Sequence, residues 1–387
     1  MNKYLLGGAA IAGLMLASAP AQAQLELTIG GHTKNYMGYL NQDDSAGVDT
    51  RNFDIQRETE LHVNGEATLD NGMTFGFQIE TEMDVDDDSN TVEESYIYMS
   101  GAWGRVNIGS ENGAAYLLQV AAPSADSNID GLRQYIQPVN YANTDIAGAF
   151  TGATSGIAGR VGLTGNTSTV DGFDYDNDMS GFSEKITYLS PNWNGLQVGL
   201  SYTPEHGDTG SIDPILNGFS TDDSVGDYGT VVEGGIRYEG VWSNFGYAIG
   251  GGYTQAEVEQ DSAVAGAAND DYTEWNLAVD VDSGPFGIGT SYTDIERSVV
   301  GAGEDVRTWV LGADYTTGPF KFGASYFMQD DETAGAAELD TERYTGGVIY
   351  TAGPGLSFRG SLSYIDHDAG ANDADATSLM GGVQINF

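Results

Sequence analysis

The chain contains no cysteine, which leaves it without a disulfide framework, a thiolate nucleophile or a Cys-based metal site. Basic residues are scarce. Against 57 Asp and Glu stand 14 Lys and Arg, for a formal net charge of −43. A chain of that sign repels the phosphate backbone, so no nucleic-acid partner is expected. Long apolar runs are missing too. Beyond the first two dozen residues no stretch reaches the roughly 18–20 apolar residues that a transmembrane helix needs. Histidine occurs four times, as His32, His62, His206 and His367. The first two fall in early strands and the others in or near loops, with no nucleophile motif beside them. A Ser-His-Asp arrangement, and with it an enzyme, is therefore not expected.

What is present is a rhythm. Segments of about ten residues alternate apolar and polar side chains, separated in turn by tight Gly/Pro/Asn turns and by long acidic loops. Pro319 to Gln329 displays the unit: Phe320, Phe322, Ala324, Tyr326 and Met328 on one face, Lys321, Gly323, Ser325 and Gln329 on the other. Side chains alternate across a strand with period two, so each unit has one greasy and one wet face. Aromatics are plentiful, with 22 Tyr, 14 Phe and 5 Trp, far more than a disordered acidic chain carries.

The N-terminus has the order of an export signal: Lys3, an apolar core from Leu5 to Leu16, and the small-x-small site Ala21-Gln22-Ala23. This predicts residues 1–23 as a signal peptide and 24–387 as one domain, because the alternation runs from Leu25 to Phe387 without a linker. Strands are expected over Leu25–Leu40, Arg57–Leu69, Met73–Met83, Val92–Ser100, Arg105–Ser110, Glu184–Leu189 and Leu196–Thr203. The second half adds Val231–Glu239, Asn244–Val258, Tyr272–Val281, Phe286–Glu296, Val306–Thr316, Phe320–Gln329, Arg343–Thr351, Leu356–Asp366 and Thr377–Phe387. The count is about sixteen, even as single-chain bacterial barrels require. Lipid offers no partners to exposed backbone groups, so strands that cross a membrane must close on themselves. The expected fold is all-β: a transmembrane, antiparallel, up-and-down β-barrel with its polar face inward.

Tyrosine placement favours this over a soluble sandwich. Strands entering long loops end in Ser-Tyr pairs, at Tyr202, Tyr292, Tyr326 and Tyr364; strands entering short turns carry Tyr188, Tyr238, Tyr315 and Tyr350. Two aromatic heights on the outward face match the two headgroup regions of a bilayer. Glycine, 55 of 387 residues, sits mostly in strands, where it accommodates the bending of a closing sheet.

The stretches Thr68-Leu69-Asp70-Asn71-Gly72, Glu94 to Gly101, Gly104 to Asn112 and the terminal Gly382-Val383-Gln384-Ile385-Asn386-Phe387 resemble those of Gram-negative general porins, most closely the alphaproteobacterial ones. The resemblance spans the whole mature chain. It implies a sixteen-stranded barrel, a homotrimer, in the outer membrane among lipid and lipopolysaccharide, assembled by barrel machinery that reads the terminal Phe387. It also implies that the third long loop, here Asn112 to about Gly181, folds into the lumen as a constriction. The Pro-Glu-Phe-Gly motif that marks this loop in enterobacterial porins is absent. Ala114 to Ala121 is too apolar for a solvated loop and predicts a short helix or turn on the inner wall. The alternative is a further hairpin using Arg160 to Thr164.

The implied activity is passive diffusion of small hydrophilic solutes and ions; the alternative is a channel specific for a sugar or another small solute. Solute contacts are expected from loop acids Asp126, Asp130 and Asp145 facing wall bases Lys34, Arg105, Lys321 and Arg359. A lipid-facing Arg at mid-height would cost about 2–4 kcal/mol, so alternation places these bases inside. Inward acids (Glu58, Glu60, Glu66, Glu80 and Glu82) outnumber them, which predicts a cation preference. No cofactor is expected. The acidic runs Asp84 to Asn90 and Asp174 to Asp178 lack the sixth-position Gly and twelfth-position Glu of an EF-hand, so no metal site is assigned. Weak divalent binding at the outer surface stays open.

Overall fold

The computed structural model describes residues 25–83, 92–140, 143, 174–208, 219, 225–260, 268–299, 302–333, 338–370 and 373–387. The signal segment, the acidic run Asp84 to Asn90, Asp145 and the Arg160–Thr164 hairpin therefore lie outside the described residues. Sixteen strands form one closed antiparallel barrel in which each pairs with its neighbours in sequence and the last with the first.

The first five are β1 (Glu26–Gln42), β2 (Phe53–Thr68), β3 (Thr74–Glu82), β4 (Val92–Gly101) and β5 (Gly104–Ser110). The long third loop follows and carries two single-turn helices, α1 (Ala114–Leu117) and α2 (Ser127–Asp130). Next come β6 (Glu184–Leu189), β7 (Leu196–Thr203), β8 (Tyr228–Trp242), β9 (Phe245–Val258), β10 (Ala268–Ser283) and β11 (Phe286–Val299). The barrel ends with β12 (Ala302–Thr317), β13 (Phe320–Thr333), β14 (Leu339–Gly353), β15 (Leu356–Asp368) and β16 (Asp373–Asn386).

Closure is made at the chain end. Phe387 N–H donates to the Gly31 carbonyl at 3.1 Å, and Gly31 N–H donates back to the Phe387 carbonyl at 3.0 Å. These bonds continue the β1–β16 ladder and leave no open edge. At the same rim, Asp70-Asn71-Gly72 makes the tight turn between β2 and β3, with Gly72 at φ 80°, a conformation that glycine adopts without strain.

The outward face is apolar and exposed: Leu27, Ile29, Met37, Ile97, Ile236, Ile288, Leu311 and Leu362 all point away from the lumen. Aromatic contacts ring both rims. Tyr292 lies between Trp275 and Trp309, its ring tilted against theirs at 5.0 and 4.5 Å, and Tyr326 lies 4.9 Å from Tyr344. At the short-turn rim Phe286 meets Tyr315 at 4.9 Å and Phe320 meets Tyr350 at 5.0 Å. No helix among the described residues is long and apolar enough to cross a membrane; the strands are the crossing elements.

The inner face departs from simple polarity. Tyr228, Val231, Ala256, Tyr272, Ile295 and Val306 form a buried apolar cluster with Met179 of the third loop. Phe327, Val310, Leu339 and Ile365 form a second with Tyr175 and Val139. The inward face is polar where it meets water and apolar where the loop covers it. Burial of such side chains stabilises the loop by about 25 cal/mol per Å² of apolar surface.

Candidate functional site

The third loop crosses the lumen and hugs the wall for most of the circumference. Glycines on the inner face make the track. Added Cβ atoms at Gly199 on β7 and Gly252 on β9 would press on Ala114 and Ala115, at Gly312 on β12 would overlap the Pro123 carbonyl, and at Gly323 on β13 would meet Ala125. These glycines are spaces for the loop backbone, a reason distinct from sheet bending. The expected helix on the wall is present as α1: Ala114 and Ala115 are fully buried, and Ala114 N–H donates to Ser201 Oγ at 2.8 Å.

The returning leg is tied to the outgoing one. Gln119 donates to the Tyr175 carbonyl and accepts from Asn177 N–H, both at 2.7 Å. Arg133 reaches Asp176 at 3.2 Å and Asp178 at 2.6 Å, and Gln134 N–H donates to Asp174. Although burial opposes its charge, the two aspartates hold the Arg133 guanidinium firmly protonated. The acidic run Asp174 to Asp178 is thus a fastening for the loop.

Two of the expected loop acids turn to the wall. Asp126 is fully buried; it accepts from Tyr36 Oη at 2.7 Å, pairs with Arg359 at 2.7 Å and caps α2 through Asn128 N–H. Asp130, 1% exposed, accepts from Ser325 Oγ at 2.6 Å, and burial pushes its carboxyl above the usual range. Both are anchors, because a loop pressed against a wall presents half its side chains to that wall. Asp145 lies outside the described residues.

The expected bases divide by height. Lys34 and Arg359 stand at the level of the loop: Lys34 pairs with Glu58 at 2.6 Å and lies 3.2 Å from the Tyr135 ring centre, while Arg359 holds Asp126. Arg105 and Lys321 do not join them. Arg105 opens β5 beside a short turn, donating to Asn107 at 2.6 Å and stacking on Tyr98 at 3.9 Å. Lys321 opens β13 beside another, 3.1 Å from Asp314. Alternation gives the face of a strand but not the height of the constriction, and these two sit at the short-turn rim.

Beside the loop, where Tyr135 lies against Lys34 and Asn112 donates to Glu94, runs a wall of acids. Glu58 and Glu60 on β2, Glu80 and Glu82 on β3, and Glu94 on β4 project inward. A register shift between Glu80 and Thr81 leaves Glu93 as an extra residue on β4. This bulge turns Glu93 inward as well, against the alternation that would send it to lipid. Oxygens of Glu60, Glu80 and Glu93 converge within 4.8 Å of one another. Glu93 escaped the sequence reading, since a bulge inverts the period on which that reading rests.

Of the four histidines, His32 and His62 belong to this wall. His206 Nε2–H donates to the Met179 carbonyl at 3.0 Å, and His367 is 2% exposed beside the Thr341 hydroxyl.

The sequence model of one family, described as Gram-negative porin, matches residues 9–371. The chain belongs to the Gram-negative porins. This places it in the outer membrane as a β-barrel channel. Solved porins share the porin's architecture at low sequence identity. An anion-selective porin from Comamonas acidovorans superposes with a TM-score of 0.65 at 16% identity, covering 94% of this chain and 100% of that one. OmpT of Vibrio cholerae, an outer membrane protein in trimer form, gives 0.57 at 13% identity over 94% and 99%. A mutant of the Rh. blastica porin gives 0.52 at 16% identity over 94% and 100%. A comparison of the porin with curated proteins finds no match.

Proposed function

We propose that this porin is a water-filled channel for passive diffusion of small hydrophilic solutes and ions, with a modest preference for cations. One observation carries the reading: the positive charges of the inner wall at loop height are each held by a partner, whereas the acids on β2 to β4 outnumber the bases beside them. Lys34 and Lys185 are each 3% exposed, the first held by Glu58 and the second by the carbonyls of Glu111, Gly181 and Ser183. Arg343 is 2% exposed and donates to the Ile129 carbonyl; Arg359 is bound to Asp126. Glu60, Glu80 and Glu93 crowd one stretch of wall and attract mobile cations. Water in the pore screens charge over about 8–10 Å at ordinary salt, so the preference is small and fades as salt rises. The Comamonas porin is named anion-selective; at 16% identity its likeness to this chain extends to the fold.

Residues 1–23 act in this reading as the export signal and 24–387 as the barrel, with Phe387 read by the assembly machinery and lipopolysaccharide around the outer rim. The porin is proposed to be a homotrimer. Supporting this, β3 to β7 have 9, 10, 7, 6 and 8 residues, against 13–17 elsewhere. A tilted strand needs roughly 9–11 residues to cross the hydrocarbon, so this low wall is best covered by a neighbouring barrel. Liposome swelling tests the channel reading: influx of uncharged sugars slows steadily with sugar size. Liposomes that exclude every solute, or admit a single sugar only, would contradict it.

A further inference from the structure

The register of the first three strands gathers two imidazoles around one carboxylate. Across β1 and β2, His32 stands opposite Glu60, and across β2 and β3, His62 stands opposite Glu80. Glu60 and His62 lie two residues apart on the same inward face. Gly30, opposite His62 on β1, offers no side chain to crowd that ring.

The ring nitrogens aim at one atom. His62 Nε2 is 3.0 Å and His32 Nε2 3.6 Å from Glu60 Oε2. Ligand atoms of the three residues all lie within 4.8 Å of one another. Glu80 Oε2 stands 3.4 Å from His62 Nε2, within reach as a fourth ligand. In a tetrahedral site with bonds of about 2.0–2.2 Å, neighbouring ligand atoms sit roughly 3.3–3.6 Å apart, so the group needs rotamer adjustments rather than backbone movement. We propose that His32, Glu60 and His62 form a lumenal binding site for a borderline transition-metal ion of the Zn²⁺, Ni²⁺ or Cu²⁺ type.

The donor set selects the class. Imidazole with carboxylate suits Zn²⁺, Ni²⁺ and Cu²⁺, whereas Ca²⁺ and Mg²⁺ take all-oxygen shells. Glu58 competes for His32 Nε2 at 2.9 Å, but Lys34 satisfies Glu58 at 2.6 Å and lets the imidazole turn to a metal. Access is from the pore, where the His62 side chain is 28% and His32 15% exposed. A bound ion would stand beside the loop, for the His32 ring is 6.3 Å from that of Tyr135. Occupancy therefore narrows the passage and adds positive charge to the acidic wall.

The site is read by calorimetric titration of Zn²⁺ into the full-length barrel folded in detergent, a measurement independent of whether the barrel conducts. One Zn²⁺ per chain is expected at micromolar concentration. His62→Gln and the double variant His32→Gln/His62→Gln should weaken it by at least about 10-fold, since loss of an outer partner alone commonly costs that much. Unchanged heat-modifiable migration shows that the variants are folded. The Cu²⁺ form should carry electron-spin coupling to two imidazole nitrogens. Wild-type affinity in the double variant, no binding by the parent, or a Cu²⁺ spectrum without nitrogen coupling would each overturn the proposal.

Discussion

Arg359 on β15 and Asp126 at the start of α2 are 233 residues apart in sequence and 2.7 Å apart in space. Their pair pins the start of α2 to the wall, with Tyr36 and Asn128 completing the polar knot. Removing one partner of a buried ion pair costs about 3–5 kcal/mol, because the other is left uncompensated. Asp126→Asn and Arg359→Gln should each loosen the loop, raising single-channel conductance and adding rapid current noise. Recordings with the conductance and noise of the parent would mean that the loop is held elsewhere.

The glycine track makes a paired prediction. Gly312→Val inserts a side chain where the Pro123 carbonyl lies, whereas Gly381 on β16 has nothing within 4 Å of an added Cβ. Overpacking of a tight contact costs about 1–3 kcal/mol, more where backbone must move. Gly312→Val should lower the yield of heat-modifiable barrel several-fold and Gly381→Ala should leave it unchanged. Equal yields would show that the loop does not depend on that close approach.

Two neighbours beyond β7 titrate in opposite senses. Burial, then the nearby Glu259, raises Glu205 to about 7 from 4.5. Its stabilising contribution is complete below pH 4.5 and lost as pH rises through about 7. Burial lowers His206 to about 4 from 6.5, so its contribution is complete above pH 6.5 and lost as pH falls through about 4. Relative to the parent, His206→Gln should gain thermal stability on acidification from pH 7 to 4.5, and Glu205→Gln should lose it. Melting temperatures across that interval check both signs, and parallel curves would contradict the assignment.

The strand cores were legible because lipid on one side and water on the other enforce period two; β6 and β7 fall on the residues expected. Strand ends were not. β8 begins at Tyr228 and β14 at Leu339, three and four residues before the apolar pattern starts, because above the lipid band pairing continues without any need for an apolar outward face. Inward acids such as Glu60 and Glu80 were legible for the same reason as the cores. That Asp126 and Asp130 face the wall was not legible, because a loop inside a barrel has a wall side as well as a water side, and no periodicity distinguishes them. Glu93 was hidden by a bulge.

The reversal potential across a bilayer in a salt gradient tests directly whether the acidic wall sets the selectivity of the pore. The parent channel should favour K⁺ over Cl⁻ modestly at low salt, less at high salt. The triple variant Glu60→Gln/Glu80→Gln/Glu93→Gln should lose most of that preference while conducting. A parent channel that prefers Cl⁻, or a triple variant with the reversal potential of the parent, would show that other charges govern the pore.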